Sequence, residues 1–213
     1  MPCCGQCAGI EKEFNSKVAS WELARYRRRG ARGTTRTLLD LLRGTPVAGA
    51  TLLDVGGGVG VIQHELVAAG VARITSVDAA GAYLAAQKAE AARRGYADRV
   101  THLQGDFAAL GAQIPDHDIV TLDRVICCYP DMHALVDVSA ARARRLYGAV
   151  YPRGTWWNRV GIRLFNAVMW VRRSPFRSYV HPPAEIERLL AAHGLRRTAA
   201  RKTFIWQVAV YAR

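Results

Sequence analysis

Leu52-Leu53-Asp54-Val55-Gly56-Gly57-Gly58-Val59-Gly60 is the stretch on which the fold turns. Residues 51–55 form a short apolar run that stops at glycines, the pattern of a buried strand. Glycine allows a sharp backbone turn and lets a ligand approach without interference from Cβ. Residues 59–69 carry helical periodicity, and Gly70 supplies a helix stop. A strand that runs through a glycine loop into a helix is the setting in which open α/β sheets hold nucleotide-like ligands.

Outward from this loop the rhythm continues. Strands are predicted at 73–77, 99–104, 118–122 and 146–151, with helices at 80–94 and 132–145 between them. Such alternation implies a parallel sheet covered on both faces. Residues 11–29 and 34–43 read as helices before the first strand, with Thr34 and Thr35 as cap candidates for the second. Residues 156–173 and 183–193 read as helices after the fifth strand. Two final strands, 195–202 and 204–211, are too close for a crossover helix and should form a hairpin. The chain therefore reads as one α/β domain over 1–213. An N-terminal helical lid covers 1–44, a core 50–151, cap helices 152–194 and a C-terminal hairpin 195–213.

The composition fits a folded globular chain: 213 residues, 50% hydrophobic and 22% charged. It excludes a disordered tail, a collagen-like fibre and a small disulfide scaffold. Thirty basic against 17 acidic residues give a formal charge of +13, nearly all of it arginine. Arginine holds anionic groups bidentately, so acidic ligands, nucleic acid and anionic membranes all come into view. The five cysteines are odd in number, which argues against a complete disulfide framework. With no secretory pattern at Met1–Cys7 and no long uncharged apolar stretch, a cytoplasmic location is expected.

The spacing Asp54, Gly56, Gly58, Gly60 resembles the first motif of class I S-adenosylmethionine-dependent methyltransferases. Val61 stands where a dinucleotide fingerprint would place its third glycine, which disfavours a nicotinamide cofactor. Two further acidic positions agree with the resemblance. Asp78 ends the second strand, where a carboxylate can accept both ribose hydroxyls. Asp106 ends the third, where a carboxylate can accept from the adenine amine, with Phe107 beside the ring. Asp123, at the end of the fourth strand, completes the expected cofactor-binding set. Any one of these aspartates alone would suit a strand end or a helix cap. Together with the glycine loop they imply S-adenosylmethionine, which offers hydroxyls and an amine and has no pyrophosphate. The resemblance implies a Rossmann-like, mostly parallel sheet of seven strands in the order 3-2-1-4-5-7-6, the last strand antiparallel.

The segment after the fourth strand, from Asp123 to His133, should face the reacting methyl. Tyr129 and His133 are its candidate catalytic groups, able to orient an acceptor or take its proton. The layouts at Tyr26–Leu39 and Tyr151–Pro175 are loosely similar to magnesium-protoporphyrin O-methyltransferases. That likeness implies a small, flat or apolar acceptor met by arginines, with O-methylation favoured. Residues 8–33 and 156–181 should close over it, with Tyr26, Tyr129, His133 and His181 near the wall.

On a helical wheel Trp156, Val160, Leu164, Ala167, Val168 and Val171 share one broad face, with Arg159, Arg163 and Asn166 on the other. This reads as a helix packed on the sheet, although Trp and Arg at such spacing also suit peripheral contact with a membrane interface through 156–173. Cys3, Cys4, Cys7, Cys127 and Cys128 could gather at one mouth as a thiol or soft-metal site. They lack zinc-site spacing, and no metal is expected. A nucleic-acid methyltransferase is the other alternative, supported by the arginines at 25–32. The sequence after the fourth strand lacks a base-methylation motif, so sequence-specific nucleic acid is not expected as a partner. The sequence leaves the oligomeric state open.

Overall fold

A computed structural model describes residues 5–213. Strands β1 (Thr51–Val55), β2 (Arg73–Asp78), β3 (Val100–Gln104), β4 (His117–Asp123), β5 (Ala143–Pro152), β6 (Arg196–Lys202) and β7 (Trp206–Ala212) form one sheet. Their order is β3-β2-β1-β4-β5-β7-β6, with β7 antiparallel to both neighbours and the other pairings parallel. This is the expected class and order. Helices α1 (Gly5–Glu13), α2 (Ser16–Arg29) and α3 (Gly33–Arg43) precede the sheet. Helices α4 (Val61–Ala68), α5 (Gly81–Arg93), α6 (Phe107–Leu110) and α7 (Met132–Ala141) fall between strands. Helices α8 (Trp156–Val171) and α9 (Pro183–Ala192) follow β5.

The strands alternate their side chains between two apolar layers. Leu52, Ile74 and Ile119 pack with Leu38, Leu39 and Leu42 of α3 and with Ile62 and Leu66 of α4. Leu53, Val120, Leu122 and Tyr147 face Leu135 and Val136 of α7 and Ile186 and Leu190 of α9. A third, smaller cluster joins Ala19, Leu23 and Tyr26 of α2 to Val59, Ala80 and Tyr83, which seats the N-terminal helices over the glycine loop.

Four sequence expectations change. The helix read over 11–29 is broken at Asn15, whose side chain accepts from the backbone N–H groups of Lys17 and Val18 and starts a second helix. Thr34 and Thr35 do not cap α3; Arg32 holds that position without a side-chain bond, and Thr35 turns inward. The helix read over 132–145 stops at Ala141, because Ala143 already pairs with His117 of β4 and ladder bonds outweigh local helix propensity. The broad apolar face of 156–171 does not lie on the sheet. Trp156, Val160, Leu164, Val168 and Val171 are exposed, while Asn158 and Met169 face inward.

Candidate active site

β1 delivers the chain to the glycine loop at the carboxyl end of the sheet. Gly56, Gly58 and Gly60 all adopt positive φ, which side-chain-bearing residues rarely tolerate. A Cβ on Gly58 would meet nothing within 4 Å, so this backbone faces open space. Gly57 is constrained differently: a Cβ there would stand 2.5 Å from Asp54 Oδ2.

Asp54 lies beneath the loop and is fully buried. Gln63 Nε2 donates to its Oδ2 at 3.0 Å, and the Thr121 hydroxyl donates to its Oδ1 at 2.7 Å. From there a polar chain runs under the loop. Gln63 also donates to Ser76 Oγ at 2.8 Å, Ser76 donates to Gln87 Oε1 at 2.8 Å, and Gln87 Nε2 donates to the Gly58 carbonyl at 2.6 Å. All four side chains are buried, a setting in which a fully paired network rigidifies what it touches. Gln63, Ser76 and Gln87 escaped the sequence reading. Each stands with other buried polar side chains, Gln63 beside His64, Ser76 on the face of β2 that carries Asp78, and Gln87 on the face of α5 that carries Glu90, so no sequence signal singles them out.

Asp78 caps the other side of the loop. Its Oδ2 accepts from Gly58 N at 3.0 Å and its Oδ1 from Ala80 N at 2.8 Å. Burial pushes the Asp54 carboxyl up to about 7 and that of Asp78 up to about 6. Asp106 is the N-cap of α6, and its Oδ1 accepts from Ala108 N at 3.0 Å and from the Tyr129 hydroxyl at 2.6 Å. Phe107 is buried at the floor. Asp123 accepts from the Thr35 hydroxyl at 2.5 Å and from Arg124 Nε at 3.3 Å, tying α3 to the end of β4.

These groups line one cavity of about 990 Å³, near the upper end of ordinary ligand pockets. The glycine loop, Asp54, Asp78, Asp106, Phe107 and Asp123 form one part of its wall. Trp21, Glu22, Arg25, Arg29, Arg32, Arg124, Phe165 and Trp206 line it too, with Phe14 and Phe176. Tyr26 and Tyr129 line it as well. His133 stands apart on the exposed outer side of α7, with Nε2 3.7 Å from Glu185, and is not a cavity residue. His181 also lies outside the lining; its Nε2 is 2.9 Å from the Tyr129 carbonyl.

The two segments expected to close over the pocket meet each other. Gln6 Nε2 donates to the carbonyls of Cys128 and Arg177 at 2.6 and 2.8 Å. Phe14 packs edge-on against Phe176, with ring centroids 5.6 Å apart. Behind them α2 is clamped to α5, where Glu90 is enclosed by Arg27, Arg93 and Arg94 at 2.6–2.7 Å. Hydrogen bonds from Arg93 above all hold the Glu90 carboxyl well below the usual carboxylate range.

Cys7, Cys127 and Cys128 line the same cavity, with the last two sulfurs 3.8 Å apart. Their mutual hydrogen bond is the main influence on both thiols, drawing Cys127 down and pushing Cys128 up. Cys3 and Cys4 lie outside the described residues. Among the described residues, no group of three or more His, Cys, Asp or Glu side chains is placed to hold a metal ion.

The strand order, the glycine loop and the carboxylates at three successive strand ends fit the pattern of class I S-adenosylmethionine-dependent methyltransferases. Residues 52–154 match the model of a methyltransferase domain. Searching curated proteins by sequence finds no match. The fold is shared with magnesium protoporphyrin IX methyltransferase from Synechocystis PCC 6803, solved with bound SAH, at 18% identity. That match covers 96% of this chain and 98% of the other, with a TM-score of 0.70. An O-methyltransferase family protein from Burkholderia thailandensis is 14% identical over 96% of this chain and 62% of its own, TM-score 0.70. An O-methyltransferase family 2 protein from Planctomyces limnophilus, in complex with apigenin, is 16% identical over 92% and 61%, TM-score 0.67.

Proposed function

We propose that this enzyme methylates an oxygen of a small, flat or apolar acceptor that carries an anionic group. The observation that carries this reading is the mixed lining of the cavity. Carboxylates and glycine backbone from the carboxyl ends of the strands share the lining with tryptophan, phenylalanine and arginines, among them Arg25, Arg29 and Arg32 on or just after α2. A volume of about 990 Å³ gives room for a donor and a small acceptor together. Structural neighbours named for protoporphyrin and apigenin lend the flat acceptor further support.

The open space at Gly58 fits a donor that approaches the backbone closely. In this reading Asp78 accepts from the ribose hydroxyls through lone pairs its backbone bonds leave over. Asp106 uses Oδ2 for the adenine amine, since both its hydrogen bonds described above fall on Oδ1. Phe107 flanks the ring, Gly56, Gly58 and Gly60 shape the cradle, and Asp123 completes the rim. Asp54 braces the loop from below. When bound, S-adenosylmethionine supplies an electrophilic methyl carbon on a sulfonium. Arg25, Arg29 and Arg32 hold the acceptor's anionic group, and the helices around it exclude water and fix an in-line approach. A carboxylate oxygen is already ionised and needs no base, and a phenol acceptor releases its proton to water before transfer, so Tyr129 positions Asp106 and takes no proton.

The test is mass-spectrometric detection of methylated product from a panel of flat aromatic acids and phenols. Arg29→Gln should raise KM for an acidic acceptor about tenfold or more, with kcat little changed. Products confined to thiols or nucleic acid would overturn the reading.

A further inference from the structure

We infer that the outer face of α8 and the tip of the β6–β7 hairpin dock the enzyme on an anionic lipid surface. The first observation is apolar exposure. Trp156, Trp170 and Val171 are each 72% exposed, and Val160, Leu164 and Val168 stand among them. The hairpin tip adds Phe204 and Ile205, also exposed. These two elements form one fixed platform. Trp157 stacks on Phe204 at 5.3 Å, and buried Asn158 donates to the carbonyls of Arg153 and Ile205 at 2.8 Å. A contiguous apolar surface of this kind marks an interaction site.

The second observation is charge, which selects the occupant. Residues 1–137 contain 15 basic and 15 acidic side chains. Residues 138–213 contain 15 basic and two acidic; Arg144, Arg145, Arg196, Arg197 and Arg213 stand at the end of the sheet opposite the hairpin tip, and no acidic residue occurs between 138 and 184, the stretch that includes α8. Both acidic residues are already paired, Glu185 with Arg188 and Glu187 with Arg197. Arg159 and Arg163 lie on α8 itself, and Arg153, Arg201 and Lys202 lie at or beside the hairpin. A second copy of the chain would bring the same arginines against themselves across a symmetric contact. A lipid surface with anionic headgroups satisfies both halves: apolar side chains enter the interface and arginines stay at headgroup level. Among the described residues no helix is long and apolar enough to cross a membrane, so the helix would lie in the interfacial plane.

The inner side of α8 places Phe165 in the cavity wall, and the hairpin contributes Thr203 and Trp206. The docking face and the acceptor side of the cavity thus share the same two elements. An apolar acceptor dissolved in the bilayer would enter there, although docking itself does not depend on what the acceptor is.

The experiment is co-sedimentation of the full chain with phosphatidylcholine vesicles, with and without about one third phosphatidylglycerol. Binding to the anionic vesicles should exceed binding to the neutral ones by about tenfold or more and weaken with added salt. The double variant Leu164→Glu/Trp170→Glu should lose at least about tenfold of that binding, while its affinity for S-adenosylmethionine, measured alongside, stays unchanged. Arg159→Gln/Arg163→Gln should weaken binding to anionic vesicles and leave neutral ones unaffected. A wild-type chain that stays in the supernatant overturns the proposal. So does a Leu164→Glu/Trp170→Glu variant that binds undiminished, or one whose effect is to split a dimer in sedimentation velocity.

Discussion

Asp54 and Asp78 are carboxyls whose burial makes ionisation costly. In the folded chain Asp54 titrates near 7, against an ordinary 3.8. The folded state therefore binds a proton that the unfolded chain has released. The stability this supplies is full below the ordinary value and is lost as pH rises through about 7. Urea unfolding between about pH 5 and 7 should show wild type losing stability relative to Asp54→Asn, by up to about 1.4 kcal/mol per pH unit. Equal slopes would mean that Asp54 is ionised throughout. Asp78→Ala removes a charged acceptor whose hydrogen bonds are each worth roughly 1.5–3 kcal/mol. Calorimetry should show donor affinity falling tenfold or more by that rule; a loss below about threefold would misassign it. Tyr129→Phe should raise the donor Kd and leave the pH profile of kcat unmoved, because its hydroxyl holds Asp106. A lost ionisation in that profile would make Tyr129 the base instead.

At the scale of elements, we propose that α1 and residues 172–181, the strap that follows α8, close the site. A Cβ on Gly9 would stand 2.5 Å from the backbone N of Phe176, so the two segments touch at van der Waals limits. Gly9→Val should push them apart while β1, the glycine loop and β2 stay in place. Turnover should then fall about tenfold or more, with donor affinity less affected; unchanged turnover would remove α1 from the lid. The strands and the glycine loop were legible because burial and turn chemistry are local signals. The break at Asn15 was missed because one side chain outcompetes a periodic pattern. The orientation of α8 was missed because it is apolar on two sides. Asn158, bonded to Arg153 and Ile205, decides which side turns in, and only the fold brings those carbonyls together. His133 lies outside the cavity lining for a similar reason: closeness to the fourth strand in sequence does not say which side of α7 it occupies.

For the molecule as a whole, the positive charge sits at both ends of the sheet. Arg144, Arg145, Arg196, Arg197 and Arg213 gather where β5 and β6 begin, and Arg153, Arg201 and Lys202 lie at the far end beside the cavity. Such a distribution offers no single stripe for a duplex to follow. Filter binding at physiological salt should show weak retention of nucleic acid, without sequence preference and falling steeply as salt rises. Tight, selective retention would move the acceptor to the nucleic-acid class.

The place of β7 between β5 and β6 has a consequence for how the chain reaches this state. β6 is made before β7 yet has no other strand to pair with, and β5 keeps one side open until β7 slots in. Sheet closure must therefore wait for residues 206–212 to leave the ribosome. During that interval the open edge of β5 is a template for mispairing. β6 itself carries Arg196, Arg197, Arg201 and Lys202, the charged side chains by which natural edge strands discourage pairing with a neighbour's sheet.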